Sequence, residues 1–262
     1  MLLFSANLST LFTEFPFRER FRAAKEAGFR FVEVQFPYDV PAEELASLLK
    51  ENGLSPVLFN LPAGDWAGGD RGIAADPGRV EEFRAGVAAA ARYASVVRVP
   101  FVNCLAGRIN PAFSEDEHRR TLLANLAFAA DTMLPLKVCV SVENVNRLDV
   151  PDFYLHRTDL VFEVIDEVNR SNVRMQYDIY HAQRSEGELV NTLRKRLDYI
   201  GHIQIADNPG RGRPGSGEIH FPFVFKELEK LGYQGCIGLE YLPGPDTAAS
   251  LGWVNDFGYS LS

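Results

Sequence analysis

The stretch VRMQYDIYHAQ, Val173 to Gln183, alternates over its first six residues: Val173, Met175 and Tyr177 fall on one face, Arg174, Gln176 and Asp178 on the other. An apolar face able to pack under helices, with an acid at the C-terminal tip, is the pattern of a strand in a parallel barrel whose site lies at the top. His181 follows three residues later, where the strand is expected to give way to a loop. One acid and one histidine decide nothing; recurrence on neighbouring strands does.

The pattern recurs. Lys137–Glu143 ends at Glu143, with Cys139 and Ser141 on the same parity. Tyr199–Ile205 sets His202 and Gln204 against Ile203 and Ile205, and Gly235–Glu240 ends at Glu240, with Cys236 and Gly238 beside it in parity. In each strand the polar or small residues would point inward and the branched apolar ones outward. Glu143, Asp178, Gln204 and Glu240 are 35, 26 and 36 residues apart, each about one strand–helix unit. Three carboxylates and an amide oxygen converging at one mouth suit a hard divalent cation, Mg²⁺ or Mn²⁺, whereas zinc favours more nitrogen or sulfur. A single acid at a strand end is more often a helix cap or an ion-pair partner; four on successive strands with matching parity are harder to explain that way.

Outward from these strands the alternation fills the chain. Strands are expected over Leu2–Asn7, Phe29–Phe36, Ser55–Asn60 and Val96–Asn103. Helices are expected over Phe17–Ala27, Pro41–Asn52, Arg79–Ala94, Ser114–Met133, Glu186–Leu197 and Phe221–Leu231, with Gly28 and Gly53 as stop signals and SEDE from Ser114 as a capped start. Leu61–Gly78, rich in Gly, Asp and Pro, carries Trp66 and Arg71 and is long enough to serve as a lid. A loop also follows Glu143 to about His156, and Asn208–Gly217 is a glycine- and proline-rich loop. About eight alternations without a compositional break predict a single-domain (β/α)₈ TIM barrel over 1–262, its tail 241–262 packing on the barrel. A doubly wound sheet is the alternative, because counting elements does not show closure.

Composition narrows the function. The 262 residues are 46% apolar and 24% charged, as in ordinary globular proteins. A net charge of -8 argues against nucleic acid, whose partners usually present a basic face, but leaves room for a small anionic substrate held by local arginines. Three widely spaced cysteines argue against a disulfide scaffold and fit a reducing cytoplasm. The opening MLLFSANLST lacks the features of a signal peptide, and no apolar run approaches the roughly 20 residues that span a bilayer. A cytoplasmic protein without membrane contact is expected.

NLPAGDWAGGDRGIA (60–74), VENVN (142–146), QYDIYHAQR (176–184), HIQIADNPGRGRPGSGEIHFP (202–222) and GYQGCIGLEY (232–241) together resemble the hydroxypyruvate isomerase family of xylose-isomerase-like barrels. The resemblance runs from SANLS at Ser5 to LGW at Trp253. It implies a divalent metal held by Glu143, Asp178, Gln204 and Glu240, with Glu143 and Glu240 as the acid–base pair. Related ketose 3-epimerases carry histidine where this chain has Gln204, so the match is to the isomerase branch. Two departures stand out: Asn144, beside a ligand, where substrate preference would feel it, and Cys236, where tryptophan is common and packing would change.

On this resemblance the chain would interconvert hydroxypyruvate and tartronate semialdehyde through an enediolate, one glutamate working at C3 and the other at C2. His181 is the candidate for a hydrogen bond to a substrate oxygen, with an ordinary structural histidine as the alternative. Arg211 is the leading partner for the substrate carboxylate, and Arg213 or Arg71 could take the role instead; a solvated loop arginine is the plain reading of each. The Asn208–Gly217 loop matches no phosphate-binding motif. His202, one layer below Gln204, reads as an interior residue. Glu33 reads as facing the barrel or as ion-paired with Arg174 or another base, and Phe12, Phe36 and Trp66 as roof or core. The rivals are the same chemistry on a 2-oxo-tetronate or a ketose, a metal-dependent endonuclease, which would need more histidines and a basic groove, and a non-catalytic sugar-acid binder. Barrels of this type often pair, so a homo-oligomer is compatible with the sequence.

Overall fold

The computed structural model describes residues 2–261; Met1 and Ser262, the two ends of the expected domain, lie outside them. In chain order the main elements are β1 (Leu3–Asn7), α1 (Phe17–Glu26), β2 (Phe31–Val34), α2 (Ala42–Asn52), β3 (Ser55–Asn60), α3 (Val80–Val97), β4 (Phe101–Cys104) and α4 (Glu115–Met133). There follow β5 (Cys139–Glu143), α5 (Thr158–Val168), β6 (Val173–Asp178), α6 (Ile179–Ser185), α7 (Leu189–Arg196), β7 (Ile200–Ile205), α8 (Phe221–Lys230) and β8 (Cys236–Leu239). Two short helices, α9 (Thr247–Ser250) and α10 (Trp253–Asp256), complete the chain. Each strand pairs in parallel with the next and β8 closes on β1, so the sheet is a closed barrel rather than a doubly wound sheet.

Pleat parity sorts the side chains as the sequence pattern predicts. Val140, Val142, Val173, Met175, Tyr177, Ile203, Ile205, Ile237 and Leu239 are buried in the layer between barrel and helices. The other parity fills the interior with buried polar groups: Ser5, Asn7, Glu33, Asn103, Ser141, Gln176, His202 and Gln204. In the tail, Trp253 packs edge-on against Phe4, ring centroids 5.7 Å apart, and lies 6.0 Å from Phe225.

Local signals explain most boundaries. Ser114 and Glu117 form a capping box at the start of α4, and Gly53 ends α2 at φ 62. Three expectations change. The alanine-rich helix α3 continues through Val97, because the buried Val97 still faces the core and Arg98 supplies the left-handed stop at φ 59. The expected helix 186–197 starts later, as α7 after Glu188 (φ 51), and an unforeseen helix, α6, directly follows β6. Helix α5 was not foreseen, although Val161, Phe162, Val164, Ile165 and Val168 give it a buried stripe at helical spacing. No helix among the described residues is long and apolar enough to cross a membrane, and the three cysteines are free.

Candidate active site

The C-terminal ends of the strands open into a cavity of about 130 Å³ whose lining includes Glu143, Glu240, Gln176, His181 and Arg211, with Trp66 and Arg71 from the long loop above. Register brings the inward residues together: Glu143 pairs with Gln176, Asp178 with Gln204, and Gln204 with Gly238.

Each acid is held differently. Oε2 of Glu143 accepts hydrogen bonds from Asn103 Nδ2 at 2.9 Å and Gln176 Nε2 at 3.0 Å. Oε1 of Glu240 accepts from Gln35 Nε2 at 2.9 Å and Arg211 Nη2 at 2.5 Å, and its Oε2 from Asn7 Nδ2 at 3.1 Å. Asp178 caps α6: its Oδ1 accepts from the backbone N–H of Tyr180 and His181, while Oδ2 lies 3.6 Å from Arg211 Nη2. It is thus both a helix cap and an acid of the site.

Burial dominates the electrostatics. It pushes the Glu143 carboxyl well above the usual carboxylate range, and the charges of Asp178 and Glu240 add to the effect. Burial raises Asp178 to about 6 and Glu240 to about 7, with the Arg211 guanidinium opposing the rise in both. Burial, then Arg211, drives His181 well below its ordinary value, so its imidazole is neutral. His181 Nδ1 lies 2.6 Å from Asn146 Nδ2 and 3.4 Å from the Asn146 backbone N–H. Both are donors, so Nδ1 accepts and the ring proton sits on Nε2.

Among the described residues, Glu143, Asp178 and His181 each offer a ligand atom, all within 4.8 Å of one another. Several buried acids with raised proton affinities at one mouth make a donor set that fits a hard divalent cation. Glu240 is outside that group and is paired with Arg211 instead. Gln204 presents Oε1 toward Gln176 Nε2 at 2.7 Å and donates from Nε2 to Glu33 at 2.6 Å.

Other expected residues fall as follows. His181 lies in the first turn of α6, not on a loop, because the Asp178 cap starts the helix directly after β6. Glu33 faces the barrel, and its base is His202 Nε2 at 2.8 Å rather than Arg174, which donates to the Val173 carbonyl. Arg71 reaches the cavity; Arg213 bonds the Pro214 carbonyl and is not in the lining. Trp66 packs on Phe36 at 4.9 Å over the mouth, whereas Phe12 is core, edge-on to Phe29. Asn144 is fully buried and outside the cavity lining, and Cys236 is half-buried at the start of β8.

Five contributors were not picked out as site residues in the sequence. Asn7, Gln35, Asn103 and Gln176 hold the acids, each an inward or strand-end residue whose parity was readable. Asp207 organises the Asn208–Gly217 loop, its two oxygens accepting from the backbone N–H of Asn208, Gly215, Gly217 and Ile219. A Cβ at Gly217 would lie 2.2 Å from the Asn208 carbonyl oxygen, so that loop closes only around glycine. It carries Arg211 at φ 55, a left-handed conformation rarely adopted outside glycine.

Comparison with known proteins agrees with this fold. A family model for the xylose isomerase-like TIM barrel matches residues 21–257. The chain is 49% identical over 257 residues to the hydroxypyruvate isomerase of Escherichia coli (strain K12), covering 98% of this chain and 100% of that one. It is 42% identical to a 2-oxo-tetronate isomerase of Cupriavidus necator, covering 97% and 98%. A crystal structure from Brucella melitensis described as an AP endonuclease, family 2, superposes with a TM-score of 0.95 at 41% identity over 98% of this chain and 99% of that one. The chain belongs to the hydroxypyruvate isomerase family of isomerases, within the xylose isomerase-like TIM barrels.

Proposed function

We propose that this isomerase interconverts hydroxypyruvate and tartronate semialdehyde by moving a proton between C3 and C2 through an enediolate. The observation that carries the reading is that Glu143 and Glu240 line one small cavity with their carboxyls pushed toward neutrality by burial. Buried carboxyls with raised proton affinity are suited to acid–base work. One glutamate takes the proton from C3, the hydroxyl proton passes from O3 to O2, and the other glutamate delivers a proton to C2. The carbonyl thereby moves from C2 to C3 with no net change in atoms or electrons.

The closeness of Glu143 and Asp178 supports these two as holders of Mg²⁺ or Mn²⁺, with Gln204 and Glu240 completing the set on the family resemblance; the ion would supply positive charge to stabilise the oxyanions of the enediolate. His181, with its proton on Nε2, donates to a substrate oxygen. Arg211 is engaged by Glu240 and Asp178. Arg71 donates only to the carbonyls of Trp66 and Asp70 among described residues, which suits it to the carboxylate of a small sugar acid. The net charge of -8 argues against DNA and leaves room for a small anionic ligand held by local arginines.

A second reading has support in the 2-oxo-tetronate isomerase relatives: the same chemistry on a substrate one carbon longer. Metal analysis and NMR of hydroxypyruvate in D₂O, alongside kcat/KM on 2-oxo-tetronates, test both. Deuterium entering C3 with a bound Mg²⁺ or Mn²⁺ is expected. No exchange on either substrate by metal-loaded protein would overturn the assignment.

A further inference from the structure

Gln176 is 2% exposed, lines the cavity, and has a carboxamide whose two ends are treated very differently. Nε2 donates to Glu143 Oε2 at 3.0 Å and to Gln204 Oε1 at 2.7 Å, using both amide protons. Oε1 has no hydrogen-bond partner among the described residues. Buried polar atoms are almost always paired, so an orphaned acceptor in a ligand cavity calls for a donor from the ligand.

The polarity of this amide is set by chemistry. Glu143 Oε2 already accepts from Asn103 Nδ2, whose own oxygen accepts from Ser141, so the Gln176 atom facing that oxygen is the nitrogen. The same logic fixes the neighbour: Gln204 turns its nitrogen to Glu33 Oε1 at 2.6 Å, leaving its oxygen toward Gln176. Glu33 in turn accepts from Ser5, Asn7 and His202 and occupies space that exists only because residue 238 is glycine. Acids at both ends of the two-amide chain therefore leave Gln176 Oε1 as its free acceptor.

Resting on the reading above, we propose that Gln176 is a substrate-contacting residue whose Oε1 accepts the hydrogen bond of the substrate's C3 hydroxyl. Hydroxypyruvate has one donor, the C3 hydroxyl; its carbonyl and carboxylate only accept. An acceptor-only atom in the cavity has that hydroxyl alone to meet. The contact points the C3 hydroxyl toward β6 and orients the C3–H bond for the neighbouring Glu143.

Glycerate and lactate differ only in that hydroxyl, and calorimetric titration of the Mn²⁺-loaded protein measures their binding without turnover. Wild type is expected to bind glycerate at least about tenfold more tightly, the size of one hydrogen bond left unmade. In Gln176→Met the ratio is expected to fall about tenfold, beyond whatever common loss the release of Glu143 and Gln204 imposes on both acids. A merely structural role for Gln176 would weaken both acids alike and leave the ratio unchanged, overturning the proposal. Should Gln176→Met fail to fold, Gln176→Asn retains the amide and withdraws its oxygen by one methylene, with the same expected change. If hydroxypyruvate and 2-oxo-tetronates both go unconverted while the glycerate preference depends on Gln176, the functional reading fails and the contact stands. Conversion with no Gln176-dependent preference sinks the contact alone, and binding of neither acid sinks both.

Discussion

Nη2 of Arg211 lies 2.5 Å from Oε1 of Glu240 and 3.6 Å from Oδ2 of Asp178, so one guanidinium serves two buried acids. Its charge opposes the burial that raises both carboxyls. Removing it in Arg211→Gln raises their proton affinity further, so the basic form needs higher pH. The acid limb of kcat/KM is expected to move to higher pH, with activity at pH 7 falling by about 10–100-fold. Arg211→Lys should retain part of the charge effect and lose the forked contact. A pH–rate profile of the three proteins checks this; an unmoved acid limb would contradict it.

The same shifts set a stability profile for the metal-free protein. The folded state holds protons on Asp178 to about pH 6 and on Glu240 to about pH 7, against ordinary values of 3.8 and 4.5. Carboxyls raised on folding contribute stability that is fully present below their unfolded values and lost as pH rises through the folded ones. In EDTA, the thermal midpoint should decline as pH rises from about 4 through 7. Mn²⁺ competes with those protons, so the stabilisation it gives should be larger at pH 8 than at pH 5. Thermal scans across that range, with and without Mn²⁺, provide the comparison.

Gly238 is set by its neighbour across the barrel. A Cβ there would lie 2.5 Å from Oε2 and 2.6 Å from Oε1 of Glu33. Glu33 is the end of a flexible side chain, but four donors hold it in a closed interior. Gly238→Ala should therefore cost about 1–3 kcal/mol in urea unfolding. It should also weaken Mn²⁺ binding, because displacing Glu33 releases the amides of Asn7 and Gln204. Adding Glu33→Asp, one methylene shorter, should recover part of the stability.

The barrel and its four strand-tip groups were legible because a period of two survives any detail of loops: Glu143, Asp178, Gln204 and Glu240 share a parity that register then aligns. What holds those groups was less legible. Glu33 meets His202 across 169 residues, and Asn7 meets Glu240 across 233, contacts that only closure of the barrel creates. His181 was misplaced on a loop because an acid at a strand tip does not announce that it also caps a helix. Helix α5 was missed because the loop before it is rich in Asn, Asp and Pro, and its own apolar stripe went unweighed beside that composition.

Arg71 and Arg211 both line the cavity, and kinetics can tell their proposed roles apart. Arg71 sits over Trp66, its guanidinium carbon 4.3 Å from the ring centroid, and donates to the carbonyls of Trp66 and Asp70 at 3.0 and 2.5 Å. The ring and two carbonyls fix the plane of the fork but leave further N–H groups for a carboxylate. The carboxylate adjoins C2 but keeps its charge throughout the proposed reaction, so its contact has nearly the same strength in ground and transition states. Arg71→Met should raise KM for hydroxypyruvate by about 10–100-fold and change kcat by less than about threefold. Trp66→Ala removes the platform and should shift KM in the same direction by a smaller factor. An effect confined to kcat in either variant would show that the loop arginine acts on the chemistry and not on the carboxylate.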